Sequence, residues 1–412
     1  MAPQEITCLL FIVSLSICSA ATNTVALLAN LTSIPISKEA NKGTGFVELA
    51  TKYGYNTESH VVTTEDGYVL ILHRIPPATH CAKKTPLYLL HNIHQSSTGF
   101  LSIAEQSPGF IFSDDCYDVW FGNLRGNEYG RKHVSLDPDK DLEFWKFHIH
   151  ENGVYDVPAS IDYILDNTGS EQLIYIGFSH GGGAFFVLNS EKPEYASKIS
   201  LHVSLAPSTR LLNNKSLAIR TLTVTINELR LALEAAGVWE LVAKGFPLQG
   251  FLATLCQIPL LAAVVCGLAT AVVDAPHPGS LPPEAQKRIY STLLSGTSVE
   301  TFAHYGQLET SKKFSKFDYG LVENLKRYGS ATPPEYDFKA SNVPVVMFQG
   351  LNDHITDVAD TDWVVEQLPN VIDYIKLEDP LWNHLDMLYS VYWKDKIYAR
   401  MKTYLQQYSK VY

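Results

Sequence analysis

One short stretch in the middle of the chain constrains its fold more than any other feature. Residues 175–185 read Tyr-Ile-Gly-Phe-Ser-His-Gly-Gly-Gly-Ala-Phe and contain a G-x-S-x-G pentapeptide centred on Ser179. The apolar run before it, residues 173–176, predicts a buried strand, and the residues after it can begin a helix. This strand–turn–helix junction presents the serine at a strand end, where the helix N-terminus favours negative charge. A glycine-rich turn that carries a serine by chance is the alternative, but the flanking patterns favour a nucleophile.

Two later segments place polar side chains just after predicted strands. Residues 343–349 form an apolar run that is followed by Asp353, and residues 373–377 are followed by His384. The carboxyl ends of parallel strands meet at one edge of a sheet, so both side chains can approach the serine. A nucleophilic serine needs a base, and the base needs an acid that orients it. We therefore expect Asp353 to be the acid and His384 the base.

Other residues compete for these two roles. His180 follows Ser179 directly, and as its immediate neighbour it should point away from the serine hydroxyl. Four further carboxylates are weaker alternatives for the acid: Asp357, Asp360, Asp362 and Asp386.

An acyl-transfer site also needs donors for the oxyanion. The first donor is expected to be the backbone N–H after the nucleophile, that of His180. Residues 87–90 predict an early strand, and the loop after it begins at His91. We expect the backbone N–H of Ile93 in this loop to be the second donor.

Several longer blocks follow one another in a fixed order. Residues 118–127 read Asp-Val-Trp-Phe-Gly-Asn-Leu-Arg-Gly-Asn, and residues 383–386 read Asn-His-Leu-Asp. These blocks resemble the acid lipase family that contains gastric lipase and lysosomal acid lipase, and the second matches the family's pattern around the catalytic histidine. The other matching blocks are residues 53–55, 64–70, 73–76, 131–133, 143–147 and 155–161.

The resemblance implies an α/β-hydrolase fold, with a mostly parallel central sheet flanked by helices and an inserted, mainly helical cap. The strand pattern stops between residues 208 and 334, so this stretch is expected to be the cap. Residues 22–207 and 335–412 would then form the two parts of the core. The implied reaction is hydrolysis of carboxylic esters of neutral lipids, acylglycerols or sterol esters, through an acyl-enzyme at a lipid–water interface. It requires no cofactor or metal, and His and Cys lack ligand spacing.

The sequence departs from the family at two positions beside the expected site. The family's G-H-S-Q-G is Gly-Phe-Ser-His-Gly here, and the glycine of its L-x-H-G-L loop is Asn92. Asparagine is the residue after glycine that best tolerates a left-handed backbone, so the loop is expected to keep its shape. Two other functions remain open: a catalytically impaired lipase-like protein that binds lipid, and an esterase for smaller esters.

A long apolar segment lies within the expected cap. Residues 245–273 contain no charged side chain, and their length could span a bilayer. Pro259 and two glutamines interrupt the segment, which also lies inside an enzyme domain. We therefore expect a cap lining that faces acyl chains, or helix-packing core, and no membrane span.

The N-terminus predicts a signal peptide, residues 1–21, because an apolar core at residues 6–17 precedes small residues. The first five residues lack the usual Lys or Arg. Two glycosylation sequons, at Asn30 and Asn214, agree with a secreted protein or one in the lumen of an acidic compartment such as the lysosome.

Four cysteines remain after the expected cleavage. Pairing of Cys81 with Cys116 and of Cys256 with Cys266 is favoured, although four cysteines allow three connectivities and free buried thiols are the alternative. The net charge of −11 argues against nucleic acid as a partner, and the 46% hydrophobic content allows a large core.

Overall fold

The computed structural model describes residues 45–82, 84–243, 272–281, 283–292 and 294–411. The expected signal peptide, the Asn30 sequon and the Cys256–Cys266 pair therefore lie outside the described residues. Most of the apolar segment also lies outside them, and only its last two residues, Val272 and Val273, are described.

The centre of the fold is an eight-stranded sheet with the strand order β1-β2-β4-β3-β5-β6-β9-β10. Strands β3 to β10 of this sheet pair in parallel, whereas β1 and β2 add an antiparallel edge. A separate two-stranded sheet pairs β7 with β8. The strands are β1 Glu58–Thr63, β2 Val69–Ile75, β3 Leu87–Leu90, β4 Val119–Phe121, β5 Leu173–Phe178, β6 Ile199–Leu205, β7 Glu240–Leu241, β8 Thr297–Ser298, β9 Val345–Gln349 and β10 Val371–Lys376.

Helices cover both faces of the large sheet. A one-turn helix and a π-helical turn, Asn152–Asp156, run directly into the fourth helix. The α-helices with described bounds are α1 Phe46–Lys52, α2 Pro108–Asp114, α3 Ile149–Glu151, α4 Val157–Thr168, α5 His180–Glu191, α6 Leu217–Ala235, α7 Pro283–Thr292, α8 Val299–Ser311, α9 Leu321–Tyr328, α10 Val358–Gln367, α11 Asp386–Tyr389 and α12 Ala399–Tyr408.

The central strands are apolar throughout because both of their faces are buried. On β3, Leu87 and Leu89 join the core beneath α1, α2 and α12, whereas Tyr88 and Leu90 join the core beneath α4, α5 and α10. Side chains alternate between the two faces of a strand, so a short apolar run supplies both cores at once. The strands predicted at residues 87–90, 173–176, 343–349 and 373–377 all form, with ends shifted by at most a few residues.

Between β6 and β9 the chain leaves the large sheet, as its sequence pattern indicates. Helices α6 and α8 pack against each other through Ile226, Leu233 and Phe302. Gly306 lets the two backbones approach closely, because a Cβ built there would lie 2.4 Å from the carbonyl oxygen of Thr223. This mainly helical stretch also contains the short antiparallel pair of β7 and β8. Strands of two residues are too short to produce a recognisable alternation.

The disulfide predicted between Cys81 and Cys116 is confirmed, with Cα atoms 5.5 Å apart. It joins the segment before β3 to the segment before β4. Among the described residues, no helix combines the length and the apolar character that crossing a membrane requires.

The close approach at Gly306 can be tested by adding one methyl group. Gly306→Ala should destabilise the protein by about 1–3 kcal/mol, because the backbone at Thr223 has to move and overpacking outweighs the better helix propensity of alanine. Urea unfolding of the purified protein measures the change. Leu231→Ala, at a 67% exposed position of α6, is the matched control and should stay within about 0.5 kcal/mol. Equal stability of Gly306→Ala and the wild type would contradict a tight crossing.

Candidate active site

Ser179 lies between β5 and α5 with a strained backbone, φ 53° and ψ −112°. The neighbouring glycines make this turn sterically possible. A Cβ at Gly177 would lie 2.7 Å from the amide nitrogen of Gly182, and one at Gly181 would lie 2.4 Å from the carbonyl oxygen of Leu90. The second contact brings the start of α5 against the end of β3. The strand–turn–helix junction predicted for Ser179 is therefore formed, and its strain is of the kind found at functional sites.

Asp353 and His384 meet beyond the ends of β9 and β10. Nδ1 of His384 lies 2.8 Å from Oδ2 of Asp353, and both side chains are almost completely buried. The other oxygen of Asp353 accepts the backbone N–H groups of Ile355 and Thr356, at 2.9 and 2.8 Å. The Thr356 hydroxyl and the Gln349 amide donate to Oδ2. The carboxylate is thus held rigidly, with one oxygen directed at the imidazole.

The pKa of His384 reflects two opposing effects. Burial lowers the pKa, because the imidazolium loses its hydration, whereas the negative charge of Asp353 and its hydrogen bond raise it. A second buried carboxylate, Asp274, also raises it, and the net result is a pKa above the ordinary value of 6.5. The site therefore stabilises the imidazolium that a general base becomes when it accepts a proton.

The four alternative acids have other partners. Asp357 caps helix α10 by accepting the N–H of Ala359, and it pairs with Lys215. The remaining alternatives are engaged as follows: Asp360 with Arg210, Asp362 with Lys376, and Asp386 with His277. Their positions favour Asp353 over all four.

His180 is buried, and both of its ring nitrogens have partners other than Ser179. Its Nε2 lies 2.9 Å from Oδ1 of Asn152, and its Nδ1 lies 2.8 Å from the hydroxyl of Tyr305. Burial, with smaller contributions from neighbouring histidines, lowers its pKa to about 3. The ring is therefore neutral and donates from Nε2 to Asn152, which in turn donates to Asp156. This fixes the side chain as a structural element of the site.

The loop after β3 is held by a histidine of its own. Nδ1 of His91 lies 2.6 Å from the carbonyl oxygen of Asn92, and Nε2 lies 3.3 Å from the amide nitrogen of Leu124. Burial lowers the pKa of His91 to about 4, so the neutral ring donates at Nδ1 and accepts at Nε2. The ring thereby closes the turn that presents Ile93.

One expectation for this loop is wrong. Asn92 is not among the residues with positive φ, so asparagine does not replace a left-handed glycine here. Its side chain is buried, and Oδ1 has no hydrogen-bond partner. Asn92 and Ile93 both line the cavity that contains Ser179. The turn at Asn92 therefore does not require a residue that accepts a left-handed backbone.

The sequence reasoning missed two hydroxyl groups next to the triad positions. The hydroxyl oxygens of Ser208 and Ser179 lie 2.9 Å apart, and the hydroxyl of Thr356 lies 3.1 Å from Nδ1 of His384. Ser208 follows the end of β6, so the strand-end rule used for Asp353 would also have found it. Thr356 has no comparable signal, because its position depends on how the loop after β9 folds back.

The candidate nucleophile and the candidate base line the same cavity. It encloses about 870 Å³ of empty space, including its opening to solvent, and Ser179, Ile93 and His384 all line it. The rest of the described lining is mainly apolar and comes largely from the chain between β6 and β9. It includes Leu211, Ile219, Val273, Leu281, Ile289 and Phe302. A cavity with this lining suits an apolar ligand whose reacting group lies at the polar end.

Two further candidate sites, one for a glycan and one for a metal ion, have their key atoms already engaged within the protein. Asn214 is buried, and its side-chain amide donates to Glu309 at 2.9 Å, so a glycan there would have to displace a contact inside the protein. The structure does not support this sequon as an acceptor. Of the described residues, His80, Cys81 and Cys116 lie close enough together to suggest a metal site, but both sulfurs belong to the disulfide.

Comparison with known proteins identifies the family. A sequence profile for a partial α/β-hydrolase lipase region matches residues 46–104, and one for the α/β-hydrolase fold matches residues 99–390. Lipase 3 of Drosophila melanogaster is 34% identical, with 86% of this chain and 91% of that protein covered. Human gastric triacylglycerol lipase is 33% identical, with 85% and 88% covered. The chain belongs to the acid lipase family.

Human lysosomal acid lipase/cholesteryl ester hydrolase is another member of this family, 31% identical over 88% of this chain and 90% of that protein. A solved structure from Sulfolobus solfataricus shares the fold, with a TM-score of 0.55 at 14% identity, covering 85% of this chain and 94% of that one. Family membership confirms the predicted α/β-hydrolase fold and the predicted class of enzyme, a carboxylic ester hydrolase.

The assignment of the acid can be tested by a matched pair of amide substitutions. Asp353→Asn should lower kcat by about 10³- to 10⁴-fold, because the amide cannot hold the His384 tautomer that leaves Nε2 free. Asp357→Asn should stay within a few-fold, since it changes only a helix cap and the ion pair with the exposed Lys215, and nitrophenyl ester hydrolysis measures both. If Asp357→Asn is inactive and Asp353→Asn is not, the acid has been misassigned.

Proposed function

We propose that this protein is a serine lipase that hydrolyses neutral lipid esters through an acyl-enzyme, with Ser179, His384 and Asp353 as its triad. One observation carries the proposal: a strained serine and the histidine of a buried His–Asp pair line one apolar cavity. Each of these features occurs alone in other contexts. Together they provide a nucleophile, an oriented base and a place for an acyl chain.

The geometry suggests the order of proton transfers. Because Nδ1–H of His384 donates a hydrogen bond to Asp353, Nε2 keeps its lone pair. Nε2 then takes the proton of Ser179 as the hydroxyl oxygen attacks the ester carbonyl. The backbone N–H groups of His180 and Ile93 are assigned to the oxyanion. His384 then protonates the leaving alcohol, and a water molecule, activated by the same ring, releases the fatty acid.

The apolar lining supports a lipid substrate. Each acyl methylene that is buried contributes roughly 0.8 kcal/mol, so a long chain is held far more strongly than a short one. The names of two relatives refer to triacylglycerol and to cholesteryl esters, and we infer an acylglycerol or sterol ester here, taken up at a lipid–water interface. We further infer that residues 208–334 form the cap over a core of residues 22–207 and 335–412. Secretion, or residence in an acidic lumen such as the lysosome, agrees with these relatives.

The nucleophile can be tested with a serine-reactive fluorophosphonate probe. Wild-type protein should be labelled, and Ser179→Ala should lose both the label and at least about three orders of magnitude in kcat. Ser208→Ala serves as a control for labelling, because its hydroxyl is adjacent to Ser179 but is not assigned as the nucleophile. A wild-type protein that is neither labelled nor active would favour the alternative of a lipid-binding protein on an inactive lipase scaffold.

The acyl-chain site can be tested at Ile219, which lines the cavity from α6. Ile219→Asp should lower kcat/KM on oleoyl esters at least about tenfold more than on butyryl esters, because a buried charge opposes the longer chain. Leu217→Asp, two residues away at a 77% exposed position, is the matched control and should leave the ratio unchanged. A wild-type protein that prefers butyryl esters would instead indicate the esterase for smaller esters.

A further inference from the structure

A buried carboxylate outside the triad contacts both of the loops that carry the acid and the base. Asp274 is 1% exposed. Its Oδ1 accepts the backbone N–H of His354, the residue after Asp353, at 3.1 Å. Its Oδ2 accepts the backbone N–H of Leu385, the residue after His384, at 3.0 Å. A single side chain thus bridges the loop after β9 and the loop after β10.

The segment that begins at Asp274 continues along the loop that carries the base. The side-chain amide of Asn383 donates to the carbonyl oxygen of Ala275 at 2.5 Å. Farther along, Nδ1 of His277 lies 2.6 Å from Oδ2 of Asp386, and the hydroxyl of Ser280 donates to the same carboxylate. These contacts fix residues 274–280 against residues 383–386. Asp274 is the member of this set that also reaches the loop carrying the acid.

We infer that Asp274 is a positioning residue, which holds the loops of Asp353 and His384 in register and acts on the reaction through His384. The physical reason is that these loops leave separate strands, so their relative position is not set by the sheet alone. A carboxylate that accepts N–H groups from both makes charge-assisted hydrogen bonds, which are stronger and more directional than neutral ones. This assignment rests on the proposed function of the triad.

Asp274 also affects the pKa of the base, because it lies near the charged groups of Asp353 and His384. Burial and the nearby Asp353 carboxylate raise the pKa of Asp274 to about 7, whereas His384 opposes this rise. The relation is reciprocal, since the Asp274 carboxylate raises the pKa of His384. An uncharged side chain at this position should therefore lower the pKa of the base. The acid limb of kcat/KM, which reports the pKa of the base in the free enzyme, should move to lower pH.

The test uses Asp274→Asn in the full-length protein, with nitrophenyl butyrate as substrate. We expect kcat to fall about tenfold or more while KM changes less than about threefold, because orientation of the base affects the transition state and not substrate binding. We also expect the acid limb to move to lower pH. A role confined to general stability would lower the unfolding midpoint without moving that limb.

Glu309→Gln is the matched control. Glu309 is also a buried carboxylate in the chain between β6 and β9, and burial raises its pKa to about 7. Its side chain accepts from the side-chain amide of Asn214 at 2.9 Å, and among the described residues no hydrogen bond joins Glu309 to the loop of Asp353 or to the loop of His384. Its kcat and acid limb should match the wild type. A kcat for Asp274→Asn within about twofold of wild type, a loss seen only in KM, or an unmoved acid limb would overturn the inference.

The outcome remains decisive if Asp274→Asn does not fold. Replacement of the Leu385 backbone amide by an ester, through incorporation of the α-hydroxy acid, removes one N–H donor to Asp274 and leaves every side chain intact. A similar loss in kcat at constant KM supports the inference, and a kcat within about twofold of wild type contradicts it. The proposed function fails separately, in the wild type, if the fluorophosphonate probe does not label Ser179.

Discussion

The backbone turn at Ser179 is the constraint on which the rest of the site depends. A non-glycine residue with φ 53° and ψ −112° is stable only where its surroundings enforce the conformation. Here the enforcement comes from packing, because Gly177 and Gly181 allow α5 to approach the ends of β5 and β3 within distances that exclude a Cβ. The same approach places the start of α5 beside the loop of Ile93, so the nucleophile and the assigned oxyanion donors have one common steric origin.

Electrostatics then distinguishes the buried histidines around this turn. His384 faces Asp353 and has a raised pKa, whereas burial lowers the pKa of His180 and His91 far below the ordinary value. The neutral rings serve as fixed donors and acceptors that hold Tyr305, Asn152 and the loop after β3. Proximity to Ser179 in the sequence therefore does not identify the base. A carboxylate partner does, because it stabilises the protonated form.

Much of the core could be predicted because its signals are local. Apolar runs such as residues 87–90 and 173–176 predict buried strands, and parallel strands gather their carboxyl ends at one edge, which brings Asp353 and His384 together. Predictions that required long-range contacts were less successful. Asn214 of the sequon is buried and donates to Glu309, and the turn at Asn92 does not use the left-handed backbone expected of it. Neither the bond between Asn214 and Glu309 nor the backbone conformation at Asn92 can be recognised from the neighbouring residues in the sequence.

The sequence by itself determined the elements whose cause lies within a few residues: the strand, the glycine-permitted turn and the helix around Ser179, and the order in which nucleophile, acid and base follow one another. Only the tertiary structure decided which carboxylate contacts His384 and that burial keeps His180 neutral. It also decided that Asp274 contacts both His354 and Leu385. The reason is physical. Steric limits on a turn act between neighbours in the chain, whereas hydrogen-bond partners and burial depend on residues separated by tens to more than a hundred positions.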